Sequence, residues 1–171
     1  MTFTASQSAA IAQAAGRLGV DVSWLVALIS YESGFNPSAK NPSSSARGLI
    51  QWIDSRAREL GYSSSADLVA KHPTIESQLL GPVVRDLSRY APFPTFEKLV
   101  AAVFHPADVS DFDRPLSAAE SAVNAGIRSV KDYADRIRKR YPVAVVGAGL
   151  GIGFLVFAGV AFWIWNKSKK G

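Results

Sequence analysis

Glu32 is the residue of this 171-residue chain whose setting points most directly to chemistry. Leu25, Leu28 and Ile29 fall on one helical face, and Glu32, three and four positions beyond the last two, extends that apolar stripe and aims a carboxyl at a core. Gly34 suits the left-handed position just past a helix end, and Pro37 cannot continue the helix, so Glu32 is expected in the last turn, where buried helix meets open loop. Loss of water disfavours a charged carboxylate, and so do the carbonyl ends of a helix. Both effects favour a proton retained near neutral pH, which is the property of a general acid. The same residues also fit an ordinary glutamate on a partly exposed helix end.

Other chemistries find little support. The chain has no cysteine, and His72 and His105 are its only imidazoles, which argues against a zinc enzyme and leaves the redox compartment open. Asp108, Asp111 and Asp113 lie within six residues, but the glycine and closing glutamate of a calcium loop are missing, so a solvated acidic turn is expected. The net charge of +5 suggests nucleic acid until it is located. Residues 1–134 carry 12 Lys and Arg against 13 Asp and Glu, a balance of −1, whereas residues 135–171 carry 7 against 1, a balance of +6. Basicity belongs to the tail, and no basic stripe with interleaved aromatics marks the rest as a nucleic-acid surface.

The elements that must position Glu32 are helical. Residues 6–18 have small and apolar side chains at helical spacing, with Ser6 or Ser8 as cap and Gly19 as stop. This opening lacks a basic n-region and a long leucine-rich core, so a secretory signal is not expected. Asp21 or Ser23 caps the helix that carries Glu32. The polar loop 36–47 reads as a wall of a site, and it leads into Gly48-Leu49-Ile50-Gln51-Trp52, where Gln51 is a lone amide in an apolar run. Packing alone also explains Gln51 and Trp52. Helices are then expected over 53–60, stopped by Gly61, over 65–71, over 74–90 with a break at Gly81-Pro82, and over 96–104 with Thr95 as cap. Asp54 reads as a capping residue at a helix start. Residues 105–115 are expected to be helix-free, Ser117 and Glu120 form a capping box for a short helix to 123, and Ser129 caps a helix over 130–141 ended by Pro142. No run of strand period reaches useful length.

Residues 143–165 carry no charge, and as a helix they would extend about 34 Å against a hydrocarbon core of about 30 Å. Tyr141, Trp163 and Trp165 sit where interfacial aromatics belong, and basic residues flank both ends, which leaves orientation open. A single transmembrane helix and a lipid bilayer partner are therefore expected. Gly147, Gly149, Gly151 and Gly153 miss the nucleotide-binding pattern but form small-xxx-small pairs that permit self-association, a lipid-facing anchor being the alternative.

Two motifs in order, Glu32-Ser33-Gly34-Phe35-Asn36-Pro37 and Ser44-Ser45-Ala46-Arg47-Gly48-Leu49-Ile50-Gln51, resemble those of the soluble lytic transglycosylase family, of the goose-type lysozyme fold. The similarity continues through Glu76-Ser77-Gln78-Leu79, Val103-Phe104-His105-Pro106-Ala107, Ala122 to Arg128, and Asp132-Tyr133, in a form that looks like phage members, and it covers roughly residues 18–138. It implies that Glu32 protonates the oxygen between N-acetylmuramic acid and N-acetylglucosamine. Glu32 then draws the proton from the muramoyl 6-hydroxyl, which closes on C1 to give a 1,6-anhydro end. The second carboxylate of most glycosidases is replaced in the family by the 2-acetamido oxygen of the substrate, so one glutamate suffices. By their match to the motifs Ser33 and Gln51 would hold the glycan and orient Glu32, with Ser45 a lesser candidate; Phe104 would keep an aromatic face for stacking on sugar, and Tyr133 would offer a hydroxyl to Glu32. Loop solvation explains Ser45 nearly as well, and helix packing explains Tyr133. Phe104-His105 stands where many members have Tyr-Asn, so the polar contacts of that motif are absent.

The expectation is an all-α, lysozyme-like lytic transglycosylase domain at 1–134, a basic juxtamembrane segment at 135–142, a transmembrane helix at 143–165 and a basic tail at 166–171. It would act on peptidoglycan without cofactor, metal or nucleic acid. The layout resembles virion-borne enzymes of internal-membrane, tectivirus-like phages. It would be anchored in the virion membrane or the host inner membrane, with its domain opening the wall in the periplasm during genome delivery or lysis. A lysozyme-type hydrolase and a non-catalytic murein-binding or structural membrane protein are the alternatives.

Overall fold

The computed structural model describes residues 2–118, 120, 124 and 126–142. The transmembrane segment expected at 143–165, its four glycines and the tail at 166–171 lie outside the described residues. Among the described residues the structure is helical, without strands, and no single helix is long and apolar enough to cross a membrane.

The helices are α1 (Ala5–Leu18), α2 (Val22–Ser33), α3 (Asp54–Glu59), α4 (Ser65–Lys71), α5 (Ile75–Gln78), α6 (Val84–Leu87), α7 (Phe96–Phe104) and α8 (Val130–Arg140). Helix α1 starts two residues earlier than a Ser6 cap and four earlier than a Ser8 cap would place it. Thr4 is its cap and forms a reciprocal box with Gln7, while the Ser6 hydroxyl donates to Glu76 instead. Gly19, at φ +65°, ends it as expected. Asp21 caps α2 through the Ser23 N–H at 2.7 Å, and Gly34, at φ +60°, closes it by donating to the Ser30 carbonyl. The segment expected as one helix over 74–90 is broken at the expected place. Because Pro82 has no N–H and its ring crowds the preceding turn, the chain widens into a π turn, Leu79–Val83, between α5 and α6.

The interior gathers the apolar faces of the long helices, with Leu18 from α1, Leu25, Leu28 and Ile29 from α2, Leu99 from α7 and Ile137 from α8 all buried. Each such side chain stabilises the fold by about 1.5–3 kcal/mol. Helix α2 packs between α1 and α8, and α8 also packs along α7, where Arg138 pairs with Glu97 at 2.6 Å. The end of α2 is thereby held against a helix a hundred residues further on.

Two sequence expectations fail in the polar stretches. Asp54 does not cap its own helix; its carboxylate accepts from the Ser65 N–H (2.9 Å) and hydroxyl (2.8 Å), so it joins α3 to the start of α4. The stretch 105–115 is not helix-free and not simply solvated. It holds a 3-10 turn, Pro106–Asp108, and Asp108 is buried, bonded by the Arg114 guanidinium at 2.5 and 2.9 Å and faced by His105 at 3.1 Å. A carboxylate with a forked cation in reach can leave water, and the motif alone does not reveal that Arg114 folds back. The capping box of Ser117 and Glu120 forms in both directions, with residues 119 and 121–123 outside the described residues.

The fully buried Asp86 of α6 binds the interior together. It accepts from Trp52 Nε1 (2.9 Å), Arg56 Nε (2.6 Å) and Arg89 (2.5 Å). Asp86→Ala should lower unfolding stability by about 3–5 kcal/mol, because it leaves Arg56 buried without its counter-charge. Glu59→Ala, which removes only an exposed partner of Arg89, should cost under about 1 kcal/mol. Denaturant midpoints of the two variants check the contrast.

Candidate active site

Three backbone features bring the site together. Helix α2 ends at Ser33, and both Gly34 and Phe35 take left-handed φ values, so the chain turns away at once and leaves Glu32 at the rim of the buried face. Next, the loop 36–52 folds back on itself through the Asn41–Ala46, Gly48–Ala39 and reciprocal Arg47–Trp52 backbone hydrogen bonds. It is then fastened from below by the buried Gln78, whose amide donates to the Pro37 (2.7 Å) and His72 (2.8 Å) carbonyls and accepts from the Leu49 N–H (2.9 Å). Gly48 sits so close to this amide that a Cβ there would lie 2.8 Å from Gln78 Oε1. Lastly, α8 crosses the end of α2 and supplies Tyr133.

The Tyr133 hydroxyl donates to Glu32 Oε1 at 2.8 Å. Its ring stacks on Phe104 of α7, centroids 4.3 Å apart and planes 22° apart, and meets Tyr31 edge-on at 5.2 Å. These contacts bury the Tyr133 ring. Burial pushes the Glu32 carboxyl up to about 7 from an ordinary 4.5, against the opposing pull of the Tyr133 hydrogen bond and of the Arg56 charge. Burial and the neighbouring carboxyl likewise push the Tyr133 phenol upwards, so it stays a donor. With Oε1 taken by Tyr133, Oε2 is the oxygen left to give or take a proton.

The other expected residues are placed less directly. Ser33 donates to the Leu49 (2.9 Å) and Ile29 (3.3 Å) carbonyls, which ties the helix end to the loop. Gln51, in a left-handed conformation at φ +55°, turns its amide back to the Gly48 carbonyl at 2.9 Å. For a non-glycine residue that backbone costs about 1–3 kcal/mol and persists only where surrounding bonds hold it. The Ser45 hydroxyl accepts from the Asp54 N–H at 3.0 Å and caps α3, so its bonds lead to the α3–α4 junction and not to Glu32. His105 turns from the carboxyl to Glu120 (2.5 Å) and Asp108. Among the described residues no group of His, Asp and Glu is arranged to hold a metal ion.

Sequence reasoning overlooked Tyr31 and Arg56. Tyr31 directly precedes Glu32, and its aromatic character was the available signal. Arg56 lies in a short helix of alternating charge and gave none, since its burial depends on Asp86, thirty residues away.

Among the described residues the fold is all-helical, and at the end of α2 burial pushes the Glu32 carboxyl up to about 7. Residues 9–79 match the family model of the transglycosylase SLT domain. No curated protein and no solved structure gives a match. The matched stretch runs from α1 to the end of α5, and so includes Glu32, Ser33, Ser45 and Gln51 and leaves out Phe104 and Tyr133. It supports a glycan-cleaving enzyme of the lytic transglycosylase type, with peptidoglycan as substrate.

A glutamate that holds its proton more tightly folded than unfolded stabilises the fold most at low pH. Between about 4.5 and about 7 the unfolded chain has released this proton and the native state has not, so stability attributable to Glu32 is lost as pH rises through that window. The difference in unfolding free energy between the wild type and Glu32→Gln should change by up to about 3 kcal/mol across it. Tyr133→Phe, which removes a bond favouring the carboxylate, should carry the upper end of the window above 7. Denaturant titrations at stepped pH check both.

Proposed function

We propose that this protein is a lytic transglycosylase that cleaves the β-1,4 bond between N-acetylmuramic acid and N-acetylglucosamine and leaves 1,6-anhydro ends. The observation that carries the proposal is the Tyr133 hydroxyl, held 2.8 Å from one oxygen of a Glu32 carboxyl that burial pushes up to about 7. In this reading Oε2 gives its proton to the bridging oxygen as the C1–O4 bond breaks, and the 2-acetamido oxygen of the substrate supports the cation at C1. The carboxylate so formed takes the proton of the 6-hydroxyl while O6 bonds to C1. One group thus acts as acid and then as base, and a pKa near the working pH serves both steps. Phe104, stacked on Tyr133 by one face, would offer the other to a sugar ring, and Ser33 at the end of α2 and Gln51 in the loop wall would line the path of the glycan, with Ser45 further from Glu32.

Mass spectrometry of digested murein tests this directly. Fragments lighter by one water than hydrolytic ones are expected, and Glu32→Gln should reduce their formation by at least about 10³-fold. Reducing-end fragments would instead make the protein a hydrolase. No products from a folded wild type would favour a binding role. The rate should also fall as pH rises above about 7, where the acid form is lost.

Localisation forms part of the proposal. The 23 uncharged residues at 143–165, with aromatic and basic flanks, would anchor the domain to a bilayer, and their glycines would allow paired anchors. A phage virion membrane or the host inner membrane would hold the domain near the wall, for genome delivery or for lysis. The protein is expected in the membrane fraction after carbonate washing and in solution only after detergent; recovery in the wash would remove the anchor.

A further inference from the structure

We propose that Arg56 is a positioning residue of the Glu32 centre: fixed on Asp86 and on the last carbonyls of α7, its guanidinium sets where Phe104 lies and thereby how Tyr133 meets Glu32. The inference rests on the reading of Glu32 as the acid and base, and it concerns what makes that pair rigid.

The end of a helix leaves carbonyls without partners, and buried ones must find donors. In α7 the Ala101 carbonyl accepts from the His105 N–H, whereas the Ala102 and Val103 carbonyls accept from the two terminal nitrogens of Arg56, at 2.6 and 2.9 Å. The remaining nitrogen, Nε, donates to Asp86 at 2.6 Å. A guanidinium with three fixed partners has little freedom to move, and the side chain is 11% exposed. The next residue along α7 is Phe104, whose ring stacks on Tyr133. A short rigid path therefore leads from Arg56 through Phe104 and Tyr133 to the carboxyl. Arg56 also acts on Glu32 through space, its positive charge favouring the carboxylate. The charged and titratable groups around the pair are Asp86 and Arg89, the Tyr90 ring 5.9 Å from the guanidinium, and Tyr31 and Tyr133 beside Glu32.

Lysine keeps the charge but cannot bond Asp86 and two carbonyls in one plane, and glutamine loses both. The full-length chain in detergent is compared as wild type, Arg56→Lys and Arg56→Gln. Glu32 titration is followed by carboxyl NMR and the Phe104–Tyr133 ring contact by nuclear Overhauser effects, both without substrate. The ring contact should weaken in both variants. The Glu32 midpoint should rise most in Arg56→Gln, and the high-pH limb of murein cleavage should move with it. In Arg56→Lys kcat should drop about 10-fold with KM little changed. A folded Arg56→Gln with the wild-type midpoint and ring contact would overturn the proposal and leave Arg56 a structural residue only. If Arg56→Gln does not fold, Arg56→Lys decides: unchanged ring contact and kcat overturn it. Wild-type protein without cleavage would sink the enzymatic reading, while the two NMR measurements would still judge Arg56.

Discussion

A carboxylate cannot be taken out of water alone, and the full burial of Asp86 is the constraint on which this structure most depends. Its neutralisation recruits Arg56 from α3 and Arg89 from beyond α6, and its remaining acceptor capacity takes the Trp52 indole. Each recruit then imposes its own geometry. Trp52 brings the end of the long loop into the interior, and Arg56 brings the end of α7. One charge therefore ties the end of the long loop and, through Arg56, the end of α7 to the same point. Replacing such a cluster with apolar side chains of similar volume could leave stability unchanged, but it would not hold three separate chain segments in one register.

The Glu32 centre balances effects of opposite sign. Desolvation favours the acid form; the Tyr133 hydroxyl and the Arg56 charge favour the carboxylate. The Tyr133 donor, at 2.8 Å, opposes desolvation without cancelling it, and the pKa rests at about 7. Rigid surroundings make this useful, since Tyr133 is clasped between Phe104 and Tyr31 and cannot readily turn away.

The loop 36–52 shows how a polar stretch becomes a wall without secondary structure. Its order comes from one buried amide, Gln78, which satisfies groups on three segments, and from Gly48, whose missing side chain lets that amide approach. The strained Gln51 backbone persists because this frame holds it. The family match ends at residue 79, one residue past this strut.

Local chemistry in the sequence determined most helices and their limits. Gly19 and Gly34 end α1 and α2, Thr95 opens α7, Ser129 opens α8, and Pro82 breaks the 74–90 segment, because caps and breakers act within a turn of where they stand. The position of Glu32 at the buried end of α2 was legible for the same reason. The cap at Thr4, the partner of Asp54 and the burial of Asp108 were not, since each depends on which of several nearby donors the folded chain selects. Only the tertiary structure decided that Tyr133, 101 residues away, touches Glu32, and that Arg56 is interior. Helical periodicity states which face of a helix is buried; it does not state what is buried against it, and the acid's proton affinity depends on those neighbours.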